Sequence, residues 1–231
     1  MGAEKSNSDL EAASKRRRSL ERAPSLRDQA YEAIKQLIIT CRLKPGEVLS
    51  EADLSADLEI GRTPVHQAIA LLVTDGLIDV MPRKGIIVKP VSLDEIRDII
   101  EIRLINEAHC ARRAAAVADA HDISRFASNL DAMWSASKRR EIEEMMNLDR
   151  EFHALLSGTT RNKSLSEILR NLHDRSLRMW FISLKAGEQH ARVCEQHAEI
   201  IDGIRRNDPD ASERAVRAHI LAFRDNIIHQ I

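Results

Sequence analysis

The stretch GEVLSEADLSADLEIGRTPVHQAIALLVTDGLIDVMPRKGIIV, at positions 46–88, decides the fold of the N-terminal part of this chain. Its segment 50–58 has the spacing of a short amphipathic helix, and Ser50 is a favourable N-cap for it. After a tight connection, a second helix is predicted to begin near Arg62, because Pro64 is tolerated in the first turn of a helix. The stretch therefore predicts two helices joined by a tight turn.

The end of the same stretch changes to the period of two that is typical of β-strands, at 77–80 and 86–90. The five residues between these runs predict a hairpin with Gly85 at its tip. Upstream, apolar residues that recur every three or four positions over 26–41 predict one more helix. Three helices followed by a hairpin is the element order of a winged helix-turn-helix, which we expect over 25–92.

A helix-turn-helix places its second helix in the major groove of DNA, where the N-terminal residues meet base edges. Arg62 can donate two hydrogen bonds to a guanine edge or bind a phosphate, and Thr63 can bond a phosphate or touch a thymine methyl. The hairpin offers two cations and a glycine that allows close backbone approach to the minor groove or to phosphates. A small core with a solvated charged rim is the alternative. The predicted DNA-binding residues are Arg62, Thr63, His66, Arg83, Lys84 and Gly85.

The composition limits the function further. Lys plus Arg and Asp plus Glu nearly cancel to a net charge of −1, so any DNA binding must be local. Aromatic residues are only 3% of the chain, which disfavours a stacking platform for single-stranded nucleic acid. No apolar run approaches the roughly 20 residues of a membrane span, and no secretory signal is visible. The three distant cysteines are expected to be reduced thiols in a cytoplasmic protein.

Residues 1–24 are polar and Ser-rich, and they carry the basic run KRRR at 15–18. Such a composition predicts a disordered basic tail. An arm that touches DNA phosphates is the alternative.

The chain from 93 to 231 has helical periodicity throughout and no strand pattern. It predicts an all-α six-helix bundle, so the fold class is mainly α. The predicted helices lie near 94–118, 121–138, 141–158, 163–185, 188–206 and 210–229.

Asp149 and His153 are four positions apart, so they share one face of the third bundle helix. This pair is either an ion pair or half of a metal site. His197 and His219 lie among apolar residues on two later helices and can face the interior. Three imidazoles and one carboxylate from three helices are a plausible ligand set for a divalent transition metal, with zinc or nickel favoured by the nitrogen ligands.

Most histidines of the chain are expected to be ordinary, and an Asp–His pair at this spacing is more often an ion pair than a metal site. Cys194 is either a spare ligand near His197 or, as we favour, a buried core thiol. The histidines that lack a partner at metal-ligand spacing are His109, His121, His173, His190 and His229.

The N-terminal stretch resembles the winged helix-turn-helix of the GntR transcription regulators. The matching residues are Pro45, Gly46, Arg62, Thr63, Pro64, Val65, Gly76, Leu77 and Gly85. Two residues depart from the family pattern: His66 stands where Arg is usual, and Gly61 stands where Ser is usual. Because a histidine is mostly uncharged at neutral pH, the first departure removes one expected contact or shifts the operator preference.

Residues 94–229 resemble the FCD ligand-binding domain of the FadR subfamily, in the six-helix form of its VanR-like branch. The resemblance rests on the D-x-x-FH motif at 149–153, the SGTTRN that follows, and the two later His-bearing helices. It implies a metal held by Asp149, His153, His197 and His219, which helps to bind a small carboxylate effector. It also implies that Arg103 faces the central cavity and grips that carboxylate. A surface ion pair of Arg103 with Glu107 is the alternative.

The sequence thus predicts a transcription regulator, most simply a repressor, and not an enzyme. Its N-terminal half would bind a double-stranded inverted-repeat operator as a homodimer, and its helical half would bind a metal and a small organic acid. Two alternatives stay open. One is a metal-dependent hydrolase or lyase, because an open metal position also activates water. The other is a regulator that senses metal alone.

Overall fold

The computed structural model describes residues 24–90, 92–186 and 190–228. Within these residues, three helices and a small sheet are followed by six helices. This confirms the predicted fold class, a mainly α chain with a winged helix-turn-helix and an all-α bundle. The predicted tail at 1–24, with its basic run at 15–18, lies outside the described residues except for Pro24. No helix of the described part is long and apolar enough to cross a bilayer.

The N-terminal part is built from α1 (Leu26–Ile39), β1 (Val48–Leu49), α2 (Glu51–Asp57), α3 (Arg62–Thr74), β2 (Ile78–Met81) and β3 (Gly85–Val88). Serines cap two of the helices: the Ser25 side chain accepts from the Asp28 amide and that of Ser50 from the Asp53 amide. The three strands are antiparallel in the order β1-β3-β2. The two residues of β1 were not predicted, because a strand this short shows no alternation.

The hairpin differs from the prediction at its tip. Gly85 does not lie there but begins β3 opposite Met81. The turn is made by Pro82 and Arg83, and the Lys84 amide donates to the Met81 carbonyl. Arg83 has φ +67°, in the left-handed region that usually favours glycine, so the turn presents a cation on strained backbone.

The C-terminal part consists of α4 (Leu93–Val117), α5 (Ala120–Arg139), α6 (Ile142–Thr159), α7 (Lys163–Ala186), α8 (His190–Arg205) and α9 (Pro209–Ile228). Polar caps begin the first two: the Ser92 side chain accepts from the Glu95 amide, and Asp119 forms a capping box with Asp122. Phe126 and Phe152 are completely buried in the core between α5 and α6. The predicted helix ends lie within two residues of these, except that residues 187–189, near the predicted start of α8, are outside the described part.

Helix α1 has two buried faces, and the second joins the two parts of the chain. Ala30 and Ile34 face the core of the helix-turn-helix, whereas Ile39 packs into the core of the bundle. On the bundle-facing side, the buried Lys35 places Nζ 3.1 Å from Oδ2 of Asp174 on α7. The winged helix-turn-helix is therefore joined to the bundle by apolar contacts of Ile39 and by an ion pair to α7.

Helices α8 and α9 approach each other closely at Gly203. A Cβ atom at this position would lie 2.8 Å from the backbone nitrogen and 2.5 Å from Oγ of Ser212, which is fully buried. Only a residue without a side chain allows this distance. The contact sets the spacing of the two helices that carry His197 and His219.

Candidate metal centre and DNA-facing surface

The four predicted ligands come together in the bundle. Asp149 and His153 lie one turn apart on α6, and His197 and His219 come from α8 and α9. One ligand atom from each lies within 4.8 Å of the others, and all four side chains are buried. His197 has no exposed surface at all. The cluster is thus closed off from bulk water by the helices that carry it.

The three imidazoles are oriented alike. Each directs Nδ1 outward to a possible acceptor, which leaves Nε2 as the nitrogen available to the cluster. Nε2 of His197 lies 3.3 Å and Nε2 of His153 lies 3.8 Å from Oδ1 of Asp149. The outward partners of Nδ1 are Oε2 of Glu107 for His153 at 2.7 Å, Sδ of Met133 for His197 at 3.2 Å, and Oε1 of Gln196 for His219 at 3.0 Å.

Two atoms at the centre of the cluster have no hydrogen-bond partner. Oδ1 of Asp149 and Nε2 of His197 are both buried, and although they lie close together they make no hydrogen bond. Buried polar atoms are seldom left unpaired, because each costs free energy when it leaves water. These atoms are of the types that a divalent transition metal binds, so the residues fit a metal.

The protonation states also suit a metal. Burial alone would raise the pKa of Asp149, but the electrostatic influence of His153, followed by the close approach of His173 and His197, lowers that pKa well below its usual range. Burial lowers the pKa of His197, and it lowers the pKa of His219 well below the usual value. A charged Asp149 and neutral imidazoles at His197 and His219 are the forms that donate electron pairs to a cation.

Arg103 lies beside this cluster and is buried. The predicted alternative, an ion pair at the protein surface, is therefore wrong, because the pair is in the interior. Its Nε donates to Oε1 of Glu107 at 2.5 Å, and both side chains are at most 5% exposed. Its Nη2 lies 3.5 Å from Nε2 of His153. The ion pair with Glu107 exists, but it borders the candidate metal position.

Sequence reasoning missed Glu107 and His173 as members of this region. Together with His153 they form a second group of atoms close enough to hold a cation. Nε2 of His173 lies 3.3 Å from Oδ2 of Asp149, although the sequence shows no partner for His173 at metal-ligand spacing. Its position four residues after the buried Leu169 on α7 was the available signal for an inward side chain.

Cys194 belongs to neither group of ligand atoms among the described residues. The thiol is fully buried, and burial raises its pKa to about 11. This fits the core thiol that we favoured over a spare ligand.

The predicted DNA-binding residues are all exposed, three near the N-terminus of α3 and three on the hairpin. Arg62, Thr63 and His66 are exposed on α3, whereas Val65 between them is fully buried. Nδ1 of His66 lies 2.8 Å from Oε1 of Glu51 on α2. The hairpin residues Arg83, Lys84 and Gly85 are exposed as well.

Comparison with known proteins places both parts of the chain. Residues 26–88 match the family described as bacterial regulatory proteins, gntR family, and residues 98–222 match the FCD domain. The HTH-type transcriptional repressor RspR of Escherichia coli (strain K12) is 28% identical over 199 residues, covering 86% of this chain and 87% of RspR. The Nta operon transcriptional regulator of Aminobacter aminovorans is 27% identical over 197 residues, covering 84% of this chain and 91% of that regulator. The solved structure of E. coli McbR/YncC has the same fold, with a TM-score of 0.81 at 20% identity, covering 90% of this chain and 99% of that chain.

The two matches follow the order of the two structural parts: the gntR match lies on the winged helix-turn-helix and the FCD match on the bundle. The relatives are transcription regulators, so the alternative of a metal-dependent hydrolase or lyase is set aside. The chain belongs to the gntR family of bacterial regulatory proteins, with an FCD domain after its winged helix-turn-helix, and it is a DNA-binding transcription regulator.

Proposed function

We propose that this regulator is a repressor that binds an inverted-repeat operator as a homodimer and is released by a small carboxylate bound at a divalent metal in the bundle. The observation that carries the proposal is the buried convergence of Asp149, His153, His197 and His219. A zinc or nickel ion bound by these residues supplies a positive centre with positions left for oxygen ligands. The relative RspR is itself named a repressor.

A carboxylate effector is supported by the position of Arg103. Its guanidinium lies 3.5 Å from Nε2 of His153, the nitrogen that faces the cluster. A metal cation there would repel the guanidinium at short range. A carboxylate between the two cations removes that repulsion and gives Arg103 two hydrogen-bond acceptors. Metal and organic acid are therefore expected to bind cooperatively.

A narrow cleft between α6 and α7 suggests how effector binding could affect the DNA-binding part. It is lined by Glu107, Arg150, His153, Ala154, Ser157, Leu169, Arg170 and His173. Its volume is only about 10 Å³, roughly the space of one water molecule. We expect an organic acid that enters this cleft to displace α7 relative to α6, and α7 holds Asp174, the partner of Lys35 on α1. Binding in the bundle would thus shift the DNA-binding part.

Homodimers of helix-turn-helix proteins bind half-sites one helical turn apart, or multiples of it. A shift of each winged helix-turn-helix relative to its bundle would change the distance between the two α3 helices of the dimer. The helices would no longer match the half-sites, and operator affinity would fall. No covalent chemistry is required by this mechanism.

The test uses two variants that separate the two parts of the protein. His197→Ala should lose bound metal and keep operator binding, and Arg62→Ala should lose operator binding and keep its metal. Metal content is measured by elemental analysis of protein purified without chelator, and operator binding by gel shift on the DNA upstream of its own gene. Matched controls are the exposed His121→Ala and Arg125→Ala on α5. If both variants lose both properties while the controls lose neither, the two-part mechanism is wrong.

The effector is then sought by adding small mono-, di- and tricarboxylic acids to the protein–operator complex. A carboxylic acid should reverse the gel shift of the wild-type protein but not that of His197→Ala. A regulator that senses metal alone gives a different result, in which chelator releases or restores DNA binding and no acid has an effect. That outcome would overturn the carboxylate part of the proposal and leave the metal site intact.

A further inference from the structure

Glu107 on α4 connects the metal-ligand cluster to Arg103. Its Oε2 lies 2.7 Å from Nδ1 of His153, and its Oε1 accepts from Nε of Arg103. The carboxylate is only 4% exposed. It forms a buried ion pair with the guanidinium of Arg103, which is always charged. It is therefore a charged group enclosed between a cluster histidine and a guanidinium.

Oε1 of Glu107 accepts from Arg103, whereas Oε2 lies 2.7 Å from Nδ1 of His153 without the alignment of a hydrogen bond. Both oxygens thus face groups outside the centre of the cluster. Nδ1 of His153 is on the outer side of the ring, opposite Nε2, which faces Asp149. A neutral imidazole carries one proton, and a carboxylate oxygen 2.7 Å from Nδ1 favours the proton on that nitrogen by charge attraction. The lone pair is then on Nε2, where the cluster requires it. Glu107 thus selects the histidine tautomer that can bind a cation.

We propose that Glu107 is a positioning residue of this site: it fixes the tautomer and ring orientation of His153 and keeps Arg103 beside the position of the carboxylate. This inference rests on the proposed metal site. Among the described residues, only His153 of the three cluster histidines has a carboxylate beside its Nδ1, whereas the neutral Met133 and Gln196 lie beside Nδ1 of the other two. An anionic acceptor raises the basicity of the ligand most, so Glu107 should be the outer residue on which metal affinity depends most strongly.

The first experiment measures zinc affinity of the Glu107→Gln variant by competition with a chromophoric chelator. Gln has the same shape, but its uncharged amide cannot accept from both His153 and Arg103. We expect zinc binding to weaken by about 10- to 100-fold. The matched control is Asp122→Asn, which removes a carboxylate of equal exposure that is paired with Arg161 away from the cluster. Unchanged zinc affinity in Glu107→Gln overturns the proposal.

The second experiment does not depend on how well a variant folds. The ring nitrogens of His153 in the metal-free wild-type protein are assigned by long-range ¹H–¹⁵N correlation spectra, which distinguish the two tautomers. We expect the proton on Nδ1. A proton on Nε2 overturns the proposal.

Cobalt substitution separates positioning from direct ligation. The cobalt form of Glu107→Gln should keep the visible absorption spectrum of the wild type at saturating cobalt, because the inner ligands are unchanged. A spectrum of altered intensity and position would mean that Glu107 is itself a ligand, and the proposal would fail. If His197→Ala binds zinc as tightly as the wild type, the metal site itself is wrong; if only Glu107→Gln does, the site stands and this inference alone fails.

Discussion

Lys35 and Asp174 form a buried ion pair between the winged helix-turn-helix and the bundle, with Nζ 3.1 Å from Oδ2. Asp174 also accepts from Nε of Arg150 on α6 at 2.5 Å. Arg150 directly follows Asp149, and Asp174 directly follows His173, whose Nε2 lies 3.3 Å from Asp149. Asp174 and its second partner Arg150 are therefore each next in sequence to a residue at the candidate metal centre, His173 on α7 and Asp149 on α6.

This pair should transmit the effector signal, so Lys35→Met is expected to keep operator binding but to lose its response to the effector. A responsive wild-type regulator should change its operator affinity by roughly 5- to 150-fold when the acid is added. In Lys35→Met this factor should fall toward one, because an apolar side chain cannot pair with Asp174 and so does not move with α7. The measurement is the operator dissociation constant with and without acid, at a fixed zinc concentration.

Loss of the pair should also lower the free energy of unfolding by roughly 1 to 3 kcal/mol, because Asp174 stays buried with only Arg150 as its cation. Arg206→Met is the control: its pair with Asp202 is 60% exposed on both sides and should contribute under about 0.5 kcal/mol. Denaturant unfolding of both variants checks this. A Lys35→Met protein that still responds to the acid like the wild type would contradict the role of the pair.

Replacing His66 by Arg should increase operator affinity. The side chain is 70% exposed on α3, at the position where the GntR pattern has a cation. A permanent charge there should contribute roughly 1 to 3 kcal/mol if it binds a base edge, or add about one unit to the salt dependence if it binds a phosphate. Fluorescence anisotropy over a range of salt concentrations distinguishes the two. Ser124→Arg, which adds the same charge on α5, should change neither the operator affinity nor its salt dependence.

Removal of the metal should destabilise the bundle and spare the helix-turn-helix surface. Bound ligand at 100 times its dissociation constant stabilises the folded state by about 2.7 kcal/mol. Thermal unfolding should therefore shift to lower temperature after chelation and return when zinc is added. The same treatment should leave His197→Ala unchanged. Equal shifts in the wild type and in this variant would mean that the metal binds elsewhere.

The three thiols should differ in reactivity toward an alkylating reagent. Burial raises the pKa of Cys110 to about 12 and that of Cys194 to about 11. At pH 8 only about one Cys194 thiol in a thousand is ionised, and the thiolate is the reactive form. Cys41, which is only partly buried, should react first. Peptide mass spectrometry after brief iodoacetamide treatment measures this order, with the denatured chain as the control in which all three react.

The helix-turn-helix could be predicted from sequence because its determinants are local. Ser50 caps α2, Pro64 lies in the first turn of α3, and Gly85 has the positive φ that a tight hairpin requires. The ligands Asp149 and His153 were recognisable for the same reason, since one helical turn separates them. The positions of His197 and His219 were predicted from their apolar neighbours and from the resemblance to a known domain.

The remaining features depend on contacts between residues far apart in the chain. The pairs of His173 with Asp149 and of Glu107 with His153 join different helices, so their spacing in sequence carries no periodic signal. The burial of Lys35 has no signal in the sequence, because the apolar stripe of α1 accounts for only one of the two buried faces of this helix. Local patterns define which face of a helix is apolar, but they do not define what a charged residue on the opposite face contacts.

The missing side chain of Gly203 makes the geometry of the bundle sensitive to a single methyl group. Alanine there would meet the backbone of Ser212, which cannot rotate away as a side chain could. Helices α8 and α9 would have to move apart at this point, and the distance between His197 and His219 would increase. If the proposed function holds, the single substitution Gly203→Ala is therefore expected to weaken metal binding and the response to the carboxylate while leaving the exposed surface of α3 intact.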